Sequence, residues 1–268
     1  MPITLCEINI YPIKSTKGIS LQSAQVERRG LQFDRRWMIV DEAGVFLSQR
    51  EFPRLALVSA RIDGEALLVN APGMGELFLG ATSENNSAIN VRVWDDDVKA
   101  VTAGEAAKKW FTEFLGAQCQ PVFMPEESTR PVKPKYSRDN DIVSFADGYP
   151  LLLISRASLA DLNLRLATPV PMNRFRPNLV VDGCDAYAED TWKDIRVGDT
   201  SFHVAKPCER CVTTTVDQTT GVAGKEPLAT LSRYRNVGGA VLFGQNLLPA
   251  NLGVMRVGDP VEALSKIM

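Results

Sequence analysis

Through the first third of the chain apolar side chains tend to alternate with polar ones instead of recurring every third or fourth residue, the spacing of strands that bury one face. Residues 56–62 and 89–94 approach this two-residue period, and Trp37-Met38-Ile39-Val40 is a continuous apolar run of the kind buried on both faces. Turn signals separate these runs at Asp41-Glu42-Ala43-Gly44, at Ile62-Asp63-Gly64 and at Ala71-Pro72-Gly73-Met74-Gly75. Short strands so spaced predict a barrel or sandwich over residues 1 to about 95. The period then becomes helical at 104–115, where Ala107, Trp110, Phe111, Phe114 and Leu115 share one face. Residues 124–138, with Pro125, Pro131 and Pro134 among mixed charges, predict an irregular connection. A soft boundary there divides the chain into domains of 1–120 and 121–268. Beyond it a strand at 151–154 runs into Ser155, which can cap a helix carrying Leu159, Leu162 and Leu166. Further strands are predicted at 178–181, 202–204, 240–243 and 254–257, with a second helix at 228–234. The fold class is mostly β, with a few helices and no internal repeat.

Composition narrows the function. The 268 residues are 45% hydrophobic and 23% charged with a formal charge of -2, an ordinary globular balance that gives no reason to expect a stable nucleic-acid complex. No apolar run approaches the ~20 residues that span a bilayer, and no signal-peptide layout is present, so a cytoplasmic location is the expectation. The five cysteines are Cys6, Cys119, Cys184, Cys208 and Cys211, an odd and mostly scattered set that argues against a disulfide framework. His203 is the only histidine, which removes most histidine-based catalysis.

Reactive side chains crowd together once, in Lys206-Pro207-Cys208-Glu209-Arg210-Cys211-Val212-Thr213-Thr214-Thr215. A C-x-x-C pair has three readings: a metal or cofactor ligand, a dithiol redox pair, or two half-buried structural residues. Zinc would need a second pair nearby, and a thioredoxin-like site would need a following helix where this chain has β-branched residues. The pair alone leaves all three open. Tyr11-Pro12-Ile13-Lys14-Ser15-Thr16-Lys17-Gly18 has the composition of an anion cradle or of a solvated turn. Arg35-Arg36 and Arg174-Phe175-Arg176 each enter an apolar strand, where guanidinium groups capture phosphate or pair with local acids.

Eight motifs together carry a resemblance: Tyr-Pro-Ile-Lys-Ser at 11–15, Asp34-Arg35, Ser144-Phe145-Ala146-Asp147-Gly148-Tyr149-Pro150, Phe175-Arg176-Pro177-Asn178, Lys206 to Thr215, Lys225-Glu226-Pro227-Leu228, Phe243-Gly244-Gln245-Asn246 and Val257-Gly258-Asp259. In this order, over nearly the whole chain, they resemble MOSC-domain proteins, close to bacterial members of the mitochondrial amidoxime reducing component family. The resemblance implies an N-terminal β-barrel domain packed on a C-terminal MOSC β-barrel that binds a molybdenum cofactor. It makes Cys211 the metal ligand and catalytic cysteine, with Arg210 beside it favouring the thiolate, and gives Cys208 a structural place. Lys14, Ser15, Arg35 and Arg176 would hold the anionic pterin and its phosphate. Asp147, Gly148, Glu209 and Arg210 would line the cofactor, with a further contact from Asn246. The implied reaction is reduction of hydroxylamines, amidoximes or N-hydroxylated nucleobases, a detoxification. With no flavin, nucleotide or iron–sulfur fingerprint, electrons are expected from a separate ferredoxin-like or flavin-reductase protein. Two alternatives remain: a sulfur carrier holding a persulfide on Cys211, and a non-catalytic binding module. No lysine stands in a Schiff-base context, so pyridoxal phosphate is not expected.

Overall fold

The computed structural model describes residues 2–80, 87–138 and 140–266. The largest sheet has nine strands, eight of them in the order Val261–Lys266, Trp192–Val197, Thr200–Glu209, Ala240–Pro249, Leu151–Ser155, Leu179–Asp182, Thr4–Ile10, Ile19–Leu21, with Asn236–Val237 paired onto Ala240–Pro249. Backbone bonds from Leu5 N to Asp259 O (2.9 Å) and from Val261 N to Ile3 O (2.8 Å) join the first strand of this path to the start of Thr4–Ile10 near its other end and close it into a barrel. One pair is parallel, Leu151–Ser155 with Leu179–Asp182. A parallel pair needs a crossover, and the helix Arg156–Leu164 supplies it. That helix starts where the sequence predicts, with Ser155 Oγ accepting from Ser158 N at 3.0 Å. Leu5, Ile8, Leu153, Val181, Ile195, Phe202 and Leu247 fill the barrel interior.

A second body is built from Trp37–Val40, Gln120–Phe123, Asp96–Thr102 and Ala88–Val93, with a separate three-stranded sheet of Ser59–Asp63, Ala66–Asn70 and Leu77–Leu79. Bridges from Val40 to Phe46 and from Val45 to Arg92 link the outer strands of the four-stranded sheet. The amphipathic helix Glu105–Leu115 buries Ala107, Trp110, Phe111 and Phe114 against the core, the face expected from its spacing. Residues 56–62 depart from expectation: Pro53 opens a 3-10 helix over Pro53–Leu57, and the strand starts only at Ser59.

Residue 120 is not a boundary between sheets. Thr4–Ile10 pairs with Leu179–Asp182 and Ser23–Glu27 pairs with Gly253–Arg256, so the chain begins inside the larger barrel. At the bridge between Ile13 and Trp37 the two bodies touch, which sets the turn after the first strand at their junction. Among the described residues no helix is long and apolar enough to cross a membrane.

Candidate functional site

A cavity of about 570 Å3 opens at this junction, and its walls carry all ten residues singled out from the sequence: Lys14, Ser15, Arg35, Asp147, Gly148, Arg176, Glu209, Arg210, Cys211 and Asn246. Three of them, Ser15, Arg35 and Arg176, have φ of 68°, 48° and 57°. Left-handed backbone is uncommon outside glycine and collects at working sites, where surrounding contacts must hold it. For Arg35 those contacts are two acceptors: Nη1 donates to Asp34 Oδ2 at 2.6 Å and to Asn178 Oδ1 at 2.9 Å. Asp34 is fully buried and also accepts from Tyr11 N at 2.8 Å. Burial pushes the Asp34 carboxyl up against the opposing pull of Arg35. Arg176 donates to Thr16 O at 2.5 Å, and both its guanidinium and that of Arg35 lie within 4.3 Å of the Tyr11 ring centroid. Burial lowers Arg176 to about 10.

Lys14 Nζ meets Asp147 Oδ1 at 2.5 Å. Partial desolvation inside the cavity pushes Asp147 up, but Lys14, with help from Arg50 and Arg35, outweighs it and holds the carboxyl below the usual carboxylate range, although the side chain is 67% exposed. The Asp147 loop is knotted by Arg130, a residue the motifs do not include. Its guanidinium donates to Ser144 O, Ala146 O and Asp147 O and pairs with Asp96 at 2.7 Å. A Cβ at Gly148 would meet nothing within 4 Å, so this stretch of backbone faces open space. Asn246 donates to Pro207 O at 3.4 Å from the neighbouring strand. Its partner in the motif, Gly244, has φ of 81° and leaves no room for a side chain, since a Cβ would come within 2.6 Å of Ile154.

Arg36 and Arg174 face away from the cavity and serve structure. Arg36 donates to Met124 O and pairs with Glu126. Arg174 donates to Thr214 O, Thr215 O and Glu226 O and pairs with Asp217, fixing the loop that follows Cys211. That loop is a 3-10 helix over Val212–Thr215, although its residues are β-branched. The hydroxyls decide it: Thr214 Oγ1 donates to Cys211 O and Thr215 Oγ1 to Val212 O, local bonds that compete with a ladder.

The cation serving Cys211 is Arg50, not the adjacent Arg210. Arg50 Nη2 lies 3.3 Å from Cys211 Sγ, whereas Arg210 Nη1 lies 2.9 Å from Cys208 Sγ and Nη2 donates to Phe175 O. The backbone at Cys211 is extended, with φ of -126° and ψ of -177°. In extended chain neighbours project to opposite sides and residues two apart share one, hence Arg210 with Cys208. Arg50 reaches the sulfur from the smaller body because Gln49 beside it is buried, donating to Ser15 O at 2.6 Å and exchanging amide bonds with Gln218. Burial pushes the Cys211 thiol up, but hydrogen bonds to its thiolate from Thr213 and Arg50 prevail and hold it below an ordinary thiol. Iodoacetamide modification of Cys211 in cofactor-free protein is therefore expected to rise with pH around an inflection below that of a simple thiol. Because Arg50 favours the charged form, Arg50→Met moves the inflection upward, and mass spectrometry of the 208–211 peptide against pH measures both.

Eight cations line the cavity (Lys14, Arg35, Arg50, Arg130, Lys133, Arg176, Lys206 and Arg210) against four carboxylates (Asp95, Asp96, Asp147 and Glu209). Lys206 neutralises Glu209 at 2.5 Å. Among the described residues Lys133, Arg50, Arg176 and Arg210 have no carboxylate partner, and Arg210 Nε is buried with no hydrogen-bond partner at all. Such a surface takes an anion with several acceptor oxygens. No group of three or more His, Cys, Asp or Glu side chains is placed to hold a metal among the described residues.

These features belong to a known class. Residues 3–118 match the MOSC N-terminal beta barrel domain and residues 140–262 match the MOSC domain. Mitochondrial amidoxime-reducing component 1 of Homo sapiens is 37% identical over 98% of this chain and 83% of its own length, and that of Mus musculus is also 37% identical with the same coverage. Mitochondrial amidoxime reducing component 2 of Rattus norvegicus is 38% identical over 96% of this chain and 82% of its own. The chain belongs to this family of MOSC-domain amidoxime-reducing components.

Proposed function

We propose that the chain is a molybdenum-cofactor reductase of N-hydroxylated compounds, taking hydroxylamines, amidoximes and N-hydroxylated nucleobases as substrates and electrons from a separate ferredoxin-like or flavin-reductase protein. The observation that carries this reading is the meeting of a low-titrating thiol with three guanidinium groups free of carboxylates in one cavity. The donor set fits the group. A thiolate is a soft ligand suited to molybdenum, and the guanidinium groups suit the pterin's phosphate. When bound, the cofactor supplies the two-electron chemistry that takes oxygen from an N–O bond.

This chain's residues do the rest. Cys211 would be the protein ligand, held by Thr213 and Arg50. Arg35, Arg176 and Arg210 would bind phosphate and pterin oxygens, with Lys14, Ser15, Glu209 and Asn246 lining the same cavity. Gly148 leaves its backbone open to a closely approaching ligand. Asp147 stays ionised through the neutral range, so it orients Lys14 and does not supply a proton.

Expression in a host that makes the cofactor tests the reading. Elemental analysis is expected to find about one molybdenum per chain, and the protein to convert benzamidoxime to benzamidine with reduced methyl viologen but not with NADH alone. A folded product with neither metal nor turnover overturns the proposal. A persulfide on Cys211 without molybdenum would favour sulfur transfer instead.

A further inference from the structure

Trp94 occupies a place that backbone geometry assigns to glycine. Val93 pairs with Asp96 across the strands Ala88–Val93 and Asp96–Thr102, so Trp94 and Asp95 form the entire turn. Trp94 has φ of 58° and Asp95 is not among the positive-φ residues. A positive φ at the first of two turn residues is the pattern of a II′ turn, where a bulky side chain is strained and glycine is usual. Burial in a core does not explain the choice either. Trp94 is 41% exposed, while Trp37, Trp110 and Trp192 are all buried. An aromatic residue that is both strained and exposed calls for another reason.

Its surroundings supply one. The indole lines the cavity. Phe46 meets it edge-on at 4.9 Å between centroids, and the Arg50 guanidinium lies 4.4 Å from its ring centroid. That same guanidinium is 3.3 Å from Cys211 Sγ. The indole is thus fixed in orientation on two sides, and a single guanidinium separates it from the sulfur.

We propose that Trp94 is a specificity-determining residue, a stacking wall that selects planar, conjugated N-hydroxylated compounds such as aryl amidoximes over compact aliphatic hydroxylamines. This rests on the reductase reading above. An aryl amidoxime presents a continuous π-face to an indole, and an aliphatic hydroxylamine presents none, so the wall favours only the first.

Trp94→Gly is the direct test, because glycine suits the turn and the variant keeps its fold. In the holoenzyme kcat/KM for benzamidoxime is expected to fall about tenfold, the scale of one lost aromatic stack, while that for N-methylhydroxylamine changes by less than about twofold. Trp94→Tyr restores most of the difference. Independently of turnover, benzamidoxime quenches indole emission saturably in the wild type and not in Trp94→Gly. Equal losses on both substrates, no loss on either, or quenching that persists in Trp94→Gly overturns the inference. If the wild type reduces neither compound but the quenching depends on Trp94, the reductase reading fails and the stacking wall stands.

Discussion

Cys211→Ser is expected to lower reduction of benzamidoxime by more than about 100-fold and to leave the purified protein nearly free of molybdenum. Even changes behind a metal ligand cost ~10–100-fold, and this one removes the only protein ligand assigned to the metal. The exchange is nearly isosteric and the side chain is only partly buried, so far-UV circular dichroism and the melting temperature stay close to wild type. Cys208→Ser is the control. Its sulfur faces Arg210, and that variant keeps most of its metal and activity. Equal metal content and activity in wild type and Cys211→Ser would remove the thiolate from the proposal.

The ten residues named from the family resemblance all line one cavity, although the sequence alone left their roles open. Lys14 and Ser15, Asp147 and Gly148, and Cys211 with its neighbours all reach one cavity from distant segments. What local spacing could not supply was the partner of each group. Arg210 adjoins Cys211 in sequence but serves Cys208, since extended backbone alternates sides. Arg50 and Arg130 lie in stretches without a chemical pattern, and only tertiary pairing brings one to a sulfur and the other under the Asp147 loop. Trp94 closes the alternating run 89–94 in the sequence, whereas the strand ends at Val93 and Trp94 opens the turn, a difference of one position that alternation does not resolve.

The fold was legible to a similar depth. Runs with clear periodicity, such as the helix face of Ala107, Trp110, Phe111 and Phe114 and the buried strand Trp37–Val40, form as their spacing predicts. Residues 56 and 57 do not, because Pro53 opens a 3-10 helix that runs through Leu57, and the β-branched residues 212–215 form a 3-10 helix that threonine hydroxyls settle locally. Pairing between the ends of the chain is a long-range matter that no local window contains, and it places the first strands in the larger barrel. One consequence is that the cavity draws Lys14, Arg35, Arg50 and Trp94 from the first hundred residues and Arg176 and Cys211 from the last hundred. Neither half alone holds the whole site.

Asp34→Ala is expected to destabilise the protein by about 3–5 kcal/mol in urea titrations, the range for breaking a buried ion pair on one side. The carboxylate is fully buried and serves two donors, Arg35 Nη1 and Tyr11 N, so its loss leaves a guanidinium and an amide short of an acceptor. Asn178 Oδ1 still accepts from Arg35, which keeps the cost finite. The pair itself is not the source of stability, since burial works against the ionised Asp34. Replacing both partners, Asp34→Leu with Arg35→Met, should therefore recover much of the lost stability by substituting apolar contact for two desolvated charges. It should not recover molybdenum content, because the cavity has lost one of its guanidinium groups. A double variant as unstable as the single one would show that Asp34 supports the Tyr11 backbone chiefly, independent of Arg35. A double variant that regains both stability and metal would remove Arg35 from the residues proposed to hold the cofactor.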